Sequence, residues 1–311
     1  MAFIASLFTL AVVSLPVAQA GGPGFVRWSA AELEQRDAAL SEAIRSDGSA
    51  RETLADYEVG GSHRFRFIRR EADGFPEQHA HIEDVVLIQS GAATLVVGGE
   101  LVGRTGGDGE YRGADIAGGV HYPVARGDIA HIPADTPHRY LVPEGGHVTY
   151  VLVRLPALAG DRVLPPDAPA LDFEPAGFAL WRARELDRRR ADLDRRIGPD
   201  RSARETLADY GSPTRSHRFR HIHRDADGVP EIHDDIIDVV FVTSGEGGVL
   251  AGGEMLDRDG SRGSGIAGGT RHPVAAGDVL HIPARMPHGY LVPEGGHVTY
   301  VLVRVPAVAA R

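Results

Sequence analysis

The stretch HIPADTPHRYLVPEGGHVTYVLVR runs from His131 to Arg154, and HIPARMPHGYLVPEGGHVTYVLVR runs from His281 to Arg304. The two copies differ only at Asp135, Thr136 and Arg139 against Arg285, Met286 and Gly289. Alternating Val, Tyr, Thr and Leu on either side of a Pro-Glu-Gly-Gly turn reads as strand, turn, strand. The chain therefore reads as two copies of one β-domain.

The duplication extends outward from this stretch. GFVRWSAAELEQRDAALSEAI from Gly24 matches GFALWRARELDRRRADLDRRI from Gly177, and RETLADY recurs at Arg51 and Arg204. Two repeats are expected over 24–157 and 177–307, joined by a Pro-rich linker at 158–176. Each opens with one predicted helix. In the first, Ser29 and Glu32 form a capping box, Trp28 and Leu33 a hydrophobic staple, and Leu33, Leu40 and Ile44 an apolar face. Leu186, Leu193 and Ile197 repeat that face, which is expected to pack on the barrel or on the other repeat. HRFRFIR, DVVLIQS, ATLVVGGELV, GDIAHIPA, RYLVP and HVTYVLVR follow, separated by Gly, Pro and Asp turns with no second amphipathic helix. Such a series of short strands predicts an antiparallel sandwich or barrel, not a parallel α/β sheet.

Composition narrows the chemistry. The 311 residues are 42% hydrophobic and 24% charged, as in soluble globular proteins. A net charge of -10 with no basic stripe argues against nucleic acid and favours a small-molecule partner. The sequence has no Cys and every basic residue is Arg, which excludes thiolate chemistry, Cys-ligated zinc, disulfides and Schiff-base catalysis. His, carboxylates, Tyr or a metal must carry the chemistry. Residues 1–20, MAFIASLFTLAVVSLPVAQA, are apolar and end in a small-x-small cleavage pattern. They read as a signal peptide for a periplasmic or secreted protein, with no membrane attachment after cleavage; the alternative is an uncleaved anchor.

Histidines and carboxylates recur at spacings that suit a metal. In repeat 1, His79 and His81 stand two apart with Asp84 close behind, and His138 lies on a later strand. Imidazole and carboxylate donors suit Fe, Mn, Ni, Zn or Cu. In repeat 2 the corresponding set is His233, Asp235, Asp238 and His288, which is harder and leans toward Mn or Fe if it binds a metal. Phe67 of HRFRFIRR becomes His221 in HRFRHIHR, so His221 is either a surrogate ligand for the imidazole that Asp235 replaced or a rim residue. Tyr140 and Tyr290 share strand parity with His138 and His288 and are candidate proton donors; the alternative is core packing.

Gly74, His79, His81, Asp84 and Gly91, followed by Gly127, Pro133 and His138 and again by Gly277, Pro283 and His288, resemble the paired motifs of the cupin superfamily. The resemblance covers about 100 residues of each repeat and implies an all-β tandem bicupin. Each unit would be an antiparallel β-barrel (double-stranded β-helix) preceded by a short helix, with a divalent transition metal in the barrel mouth. Asp84 stands where the family usually has Glu, and Asp135 replaces a motif glycine. The layout is similar to oxalate-type bicupins, but neither repeat holds the full three-His, one-Glu set, so that activity does not transfer. Repeat 1 is expected to be the stronger metal site. The two repeats are expected to pack as a pseudo-dimer, with further oligomerisation open. The expected function is a metal-dependent pocket acting on a small oxygen-rich molecule, an organic acid or sugar, as a dioxygenase, decarboxylase, isomerase or lyase. A non-catalytic binding module and a metal-free structural barrel are the alternatives.

Overall fold

The structure is a computed structural model, and it describes residues 24–57, 63–158, 162–163, 174–212 and 215–307. The expected signal peptide at 1–20 and most of the expected linker at 158–176 lie outside the described residues. Among the described residues no helix is long and apolar enough to cross a membrane.

One long strand organises each repeat. The first half of Ile82–Val97 pairs with Val148–Pro156 and Ile129–Ile132, and its second half pairs with Val120–Ala125 and His138–Leu141. In repeat 2, Ile236–Ala251 pairs in the same order with Val298–Pro306, Val279–Ile282, Thr270–Ala275 and His288–Leu291. All these pairings are antiparallel, as expected. A strand that serves two layers must bend between them, and both repeats bend at a bulge, between Thr149 and Tyr150 on one partner and between Val242 and Ser244 on the other long strand. Gly91 follows the first bend at φ +70, and a Cβ there would stand 2.0 Å from the His147 carbonyl oxygen. Gly245 meets His297 in the same way. This motif glycine is thus a steric requirement of the fold.

The spatial layers do not follow the sequence repeats. Val26–Trp28, which opens repeat 1, pairs with Val279–Ile282 of repeat 2, and Ala179–Trp181, which opens repeat 2, pairs with Ile129–Ile132 of repeat 1. The helices α1 (Ala30–Ser41) and α2 (Ala183–Asp194) lie on strands of their own repeats but start against a turn of the other. Ser29 caps α1 as expected, accepting from the Glu32 amide at 3.1 Å. A second carboxylate joins it from repeat 2: Asp278 accepts from the Ala30 amide (2.8 Å) and from Arg27 Nε (2.7 Å). In α2 the N-cap is Arg182, whose side chain makes no capping bond, and Asp128 of repeat 1 accepts from the Ala183 amide at 2.8 Å. The motif glycine Gly127, at φ +83, is what allows this approach, since a Cβ would lie 2.9 Å from that of Ala183.

Three main buried clusters result. One fills the interior of repeat 1 around Ile68, Val86, Leu95 and Tyr150, and a second fills repeat 2 around Ile222, Val240, Val249 and Tyr300. The third joins the repeats through Trp28, Leu33, Phe65 and Phe67 on one side and Trp181, Leu186, Phe219 and Phe241 on the other. This shared face also buries titratable groups. Tyr57 stacks on His63 (4.6 Å) and on His281 (4.4 Å) on one side of the interface. At the related place, Glu83 lies 3.1 Å from His131 Nε2 and 2.9 Å from His217 Nδ1. His63 and His217 are therefore interface residues.

Three predictions follow from this packing. Gly91→Ala should destabilise the chain by at least about 1–3 kcal/mol, read by urea denaturation, because it adds both left-handed strain and an overlap with His147. Asp278→Ala and Asp128→Ala should each cost about 1–2 kcal/mol by removing a helix cap supplied across the interface. Burial holds His281 down to about 4 and His63 to about 2 from 6.5, in each case because the charged ring would be desolvated. The unfolded chain therefore binds more protons, and stability should fall as pH drops below about 6.5. Burial disfavours charge on Glu83, but His131 and His217 hold its pKa near 2, so its stabilisation is lost from about 4.5 downward as well. Melting temperatures recorded from pH 7.5 to pH 4 check this, and a flat profile would contradict it.

Candidate metal centre

The expected ligands come together only in part. His79 ends the strand Glu77–His79, and its Nε2 lies 3.9 Å from Asp84 Oδ2. His138 opens the strand His138–Leu141, with Nε2 3.4 Å from the same oxygen. These three side chains are buried, and one donor atom from each lies within 4.8 Å of the others. The His138 ring is fixed from behind, where its Nδ1 donates to the Thr136 carbonyl (2.9 Å), and the Glu110 carboxylate approaches His79 Nδ1 to 2.8 Å without hydrogen-bond geometry. Both Nε2 atoms point toward Asp84, which makes a two-imidazole, one-carboxylate set of the kind that suits a metal.

His81 does not join them. The strand ends at His79 and the chain turns at Ala80–His81, so the two-residue alternation is broken and His81 is exposed. The expected third imidazole of repeat 1 is absent from the cluster for that reason. In repeat 2, Asp235 sits on a bend and is exposed, and it also stays out. His233, Asp238 and His288 do converge: Asp238 Oδ2 lies 3.7 Å from His233 Nε2 and 3.5 Å from His288 Nε2. Glu231, which the sequence reading missed, joins them with Oε2 3.5 Å from His233 Nε2. Its signal was its position two residues before His233, the same parity that places side chains on one strand face. Glu110 of repeat 1 carried no local signal, because only the pairing of Glu110–Arg112 with Glu77–His79 brings it there.

His221 is corrected by strand parity. Its strand, Arg215–Arg224, sends Arg220, Ile222 and Arg224 into the barrel. His217, Phe219, His221 and His223 face the other way and are buried. His221 Nδ1 lies 3.5 Å from Glu205 Oε1, so it is neither a rim residue nor a ligand in the repeat 2 cluster. The contrast between a His-rich and an Asp-rich site also shrinks, since each cluster now has two imidazoles and repeat 2 has the additional carboxylate of Glu231.

Arginine is the other resident of both centres. Arg154 Nη2 donates to His79 Nε2 at 2.8 Å, and Arg304 Nη2 donates to His233 Nε2 at 2.9 Å. Burial would raise the Asp84 pKa, but His138 and Arg154 hold it near 2. Burial alone would lower His138, and the Asp84 carboxylate outweighs it and raises the imidazole above its ordinary value. His79 is lowered, by burial first and by its cationic neighbours His138 and Arg154, against the pull of Asp84. The centre is thus an ionised carboxylate between a neutral and a readily protonated imidazole.

Tyr140 and Tyr290 are buried beside these clusters, stacked on Tyr150 and Tyr300 at 4.8 and 4.4 Å. Burial pushes both hydroxyls well above their ordinary pKa, so each keeps its proton and can donate a hydrogen bond. The space in and around the cleft over the repeat 1 cluster, open solvent included, is about 490 Å³, and that of repeat 2 about 390 Å³. A larger hollow of about 750 Å³ lies between the repeats, lined by Leu87, Gln89, Arg126, Asp187 and Thr243 among others, but it has no imidazole and is remote from this chemistry.

No family model matches the sequence, and no curated protein matches it. Solved structures do. A salicylate 1,2-dioxygenase from Pseudoaminobacter salicylatoxidans in complex with gentisate is 12% identical, with a TM-score of 0.59 over 93% of this chain and 84% of that one. A cupin 2 conserved barrel domain protein from Leptotrichia buccalis is 11% identical, with a TM-score of 0.50 over 95% of this chain and 100% of that one. At such identities the likeness is one of fold. Together with the doubled, bent-strand architecture and its candidate metal clusters, it shows that the chain has the cupin fold.

Proposed function

We propose that this chain is an exported, metal-binding bicupin whose barrel pockets act on a small oxygen-rich molecule, with its two repeats packed as a pseudo-dimer. The observation that carries the reading is the convergence of His79 Nε2, His138 Nε2 and an Asp84 oxygen in a buried cleft, with the His138 ring oriented by a hydrogen bond to the Thr136 carbonyl. Glu231, His233, Asp238 and His288 would hold a second ion. Two neutral nitrogens and a carboxylate suit Fe, Mn, Zn or Ni. A divalent ion bound there would supply Lewis acidity toward a substrate oxygen and, if redox-active, an electron. The remaining work falls to the chain. Asp84 stays ionised to balance the charge, the Thr136 carbonyl holds the His138 ring, and the protonated Tyr140 hydroxyl would donate a hydrogen bond to a substrate group in the cleft. The relative solved with gentisate makes a small aromatic acid one reasonable class of substrate. Export rests on the apolar segment at 1–20.

One contact favours a second reading, a metal-free binding module. The Arg154 guanidinium already donates to the His79 nitrogen that a metal would take, so it occupies the place of the cation. Metal analysis of the untagged, full chain separates the two. On the metal reading, His79→Ala, Asp84→Ala and His138→Ala each remove most of the metal held in repeat 1, and Glu231→Ala and His288→Ala remove that of repeat 2. His81→Ala, Asp235→Ala and His221→Phe should keep the full content. A wild-type protein that takes up no Fe, Mn, Zn or Ni would leave the binding module as the function.

A further inference from the structure

The interior of each barrel is more basic than its metal cluster requires. Along Arg64–Arg70, Phe65 and Phe67 face the shared core, and Arg66 and Arg70 line the repeat 1 cleft with Arg154 and the mouth residue Arg51. Arg220, Arg224, Arg304 and the mouth residue Arg204 line the repeat 2 cleft at the corresponding positions. The carboxylates facing the second cleft are Glu231 and Asp238, and Arg304 takes both, at 3.3 and 3.5 Å. Arg224 Nε donates to the Tyr300 hydroxyl at 3.0 Å. Arg220 is left with no ion pair among the described residues, and burial together with Arg304, Arg218 and Arg204 pushes it down to about 10. In repeat 1, the Tyr140 hydroxyl, 4% exposed and lining the cleft, has no hydrogen-bond partner among the described residues. Half-buried like charges and an unpaired buried hydroxyl are costly unless a ligand completes them.

We infer that both clefts are receptor sites for a small carboxylate anion, gripped by Arg66 and Arg154 with Tyr140 in repeat 1 and by Arg220 and Arg304 in repeat 2. The geometry selects a carboxylate over a phosphate. Guanidinium forks take carboxylate and phosphate oxygens alike, so the rest of the cleft wall decides between them. Phosphate sites more often use free backbone amides or helix N-termini. Here the cleft walls are ladder strands, and the N-termini of α1 and α2 are already taken by Asp278 and Asp128. An anion in the cleft also gives Arg154 a partner beyond His79, Asp84 and Glu110. The inference narrows the substrate class of the proposed function, but it needs no metal, because the arginines supply the charge on their own.

Titration calorimetry with malonate on the full chain tests it, before and after metal is stripped with phenanthroline, an uncharged chelator that does not itself compete as an anion. The stripped protein should bind malonate in both barrels, more weakly as salt is raised. Arg66→Gln should weaken the repeat 1 event, and Arg220→Gln the repeat 2 event, by at least about tenfold. Both variants remove half-buried side chains, and unchanged circular dichroism and melting temperature would show that they fold. Inorganic phosphate and glucose are the comparison probes. Tighter binding of phosphate than malonate, binding of glucose in place of malonate, no malonate binding, or malonate binding indifferent to both substitutions would each overturn the inference. Metal content measured on the same samples reports on the proposed metal centre separately: malonate bound by a chain that never holds metal supports this inference while removing that reading, and metal without malonate does the reverse.

Discussion

A β-sheet that curls on itself can bury its inner face unaided, but the outer face of its back layer needs a cover. In this chain each repeat covers the other. Phe65 and Phe67 from one and Phe219 and Phe241 from the other are fully buried in one cluster. That arrangement depends on the exchanged strands Val26–Trp28 and Ala179–Trp181, which extend each barrel with backbone from its neighbour. Because each exchanged strand leads into a helix, the helix N-terminus is delivered to the neighbour's turn, where Asp278 or Asp128 satisfies its amides. Gly277 and Gly127 sit in those turns because a side chain there would overlap the incoming helix.

The same strand that covers the neighbour also equips the pocket. Alternation along Arg64–Arg70 and Arg215–Arg224 sends Phe65, Phe67, His217 and Phe219 to the interface and Arg66, Arg70, Arg220 and Arg224 inward. The interface and the clefts are therefore two faces of one strand in each repeat, and a one-residue slip in register would exchange them. This fixes the balance at the site. Asp84 faces Arg154 across the ladder and Asp238 faces Arg304, so each carboxylate that could hold a metal begins with a guanidinium beside it. Whatever occupies the cleft must either displace that guanidinium or give it another partner.

The two interface histidine groups show how far duplicated sequence can diverge in electrostatics. His131 and His217 share the Glu83 carboxylate, whereas His281 and His63 stack on Tyr57. Repeat 2 has Ile237 where repeat 1 has Glu83, each residue standing just before the aspartate that faces the cleft. One side of the interface consequently holds an ionised carboxylate, and on the other burial keeps His63 and His281 toward the neutral ring.

By itself the sequence determined the duplicated all-β architecture, the capped helix that opens repeat 1, and the likeness to cupins. Those features are written in local periodicity, turn residues and near-identical stretches, which need no knowledge of distant contacts. It also pointed to His79, Asp84, His138, His233, Asp238 and His288, because motif spacing fixes which strand carries them. Tertiary structure decided the rest. A turn at Ala80–His81 removed His81 from the cluster, a bend at Asp234–Asp235 removed Asp235, and strand parity turned His221 away from the cleft, toward Glu205. Glu110, Arg154 and the capping carboxylates enter only through pairings between residues far apart in the chain. Local pattern says how a strand alternates, but only the packed sheet decides where it stops, which face is covered and which charge is left facing the cavity.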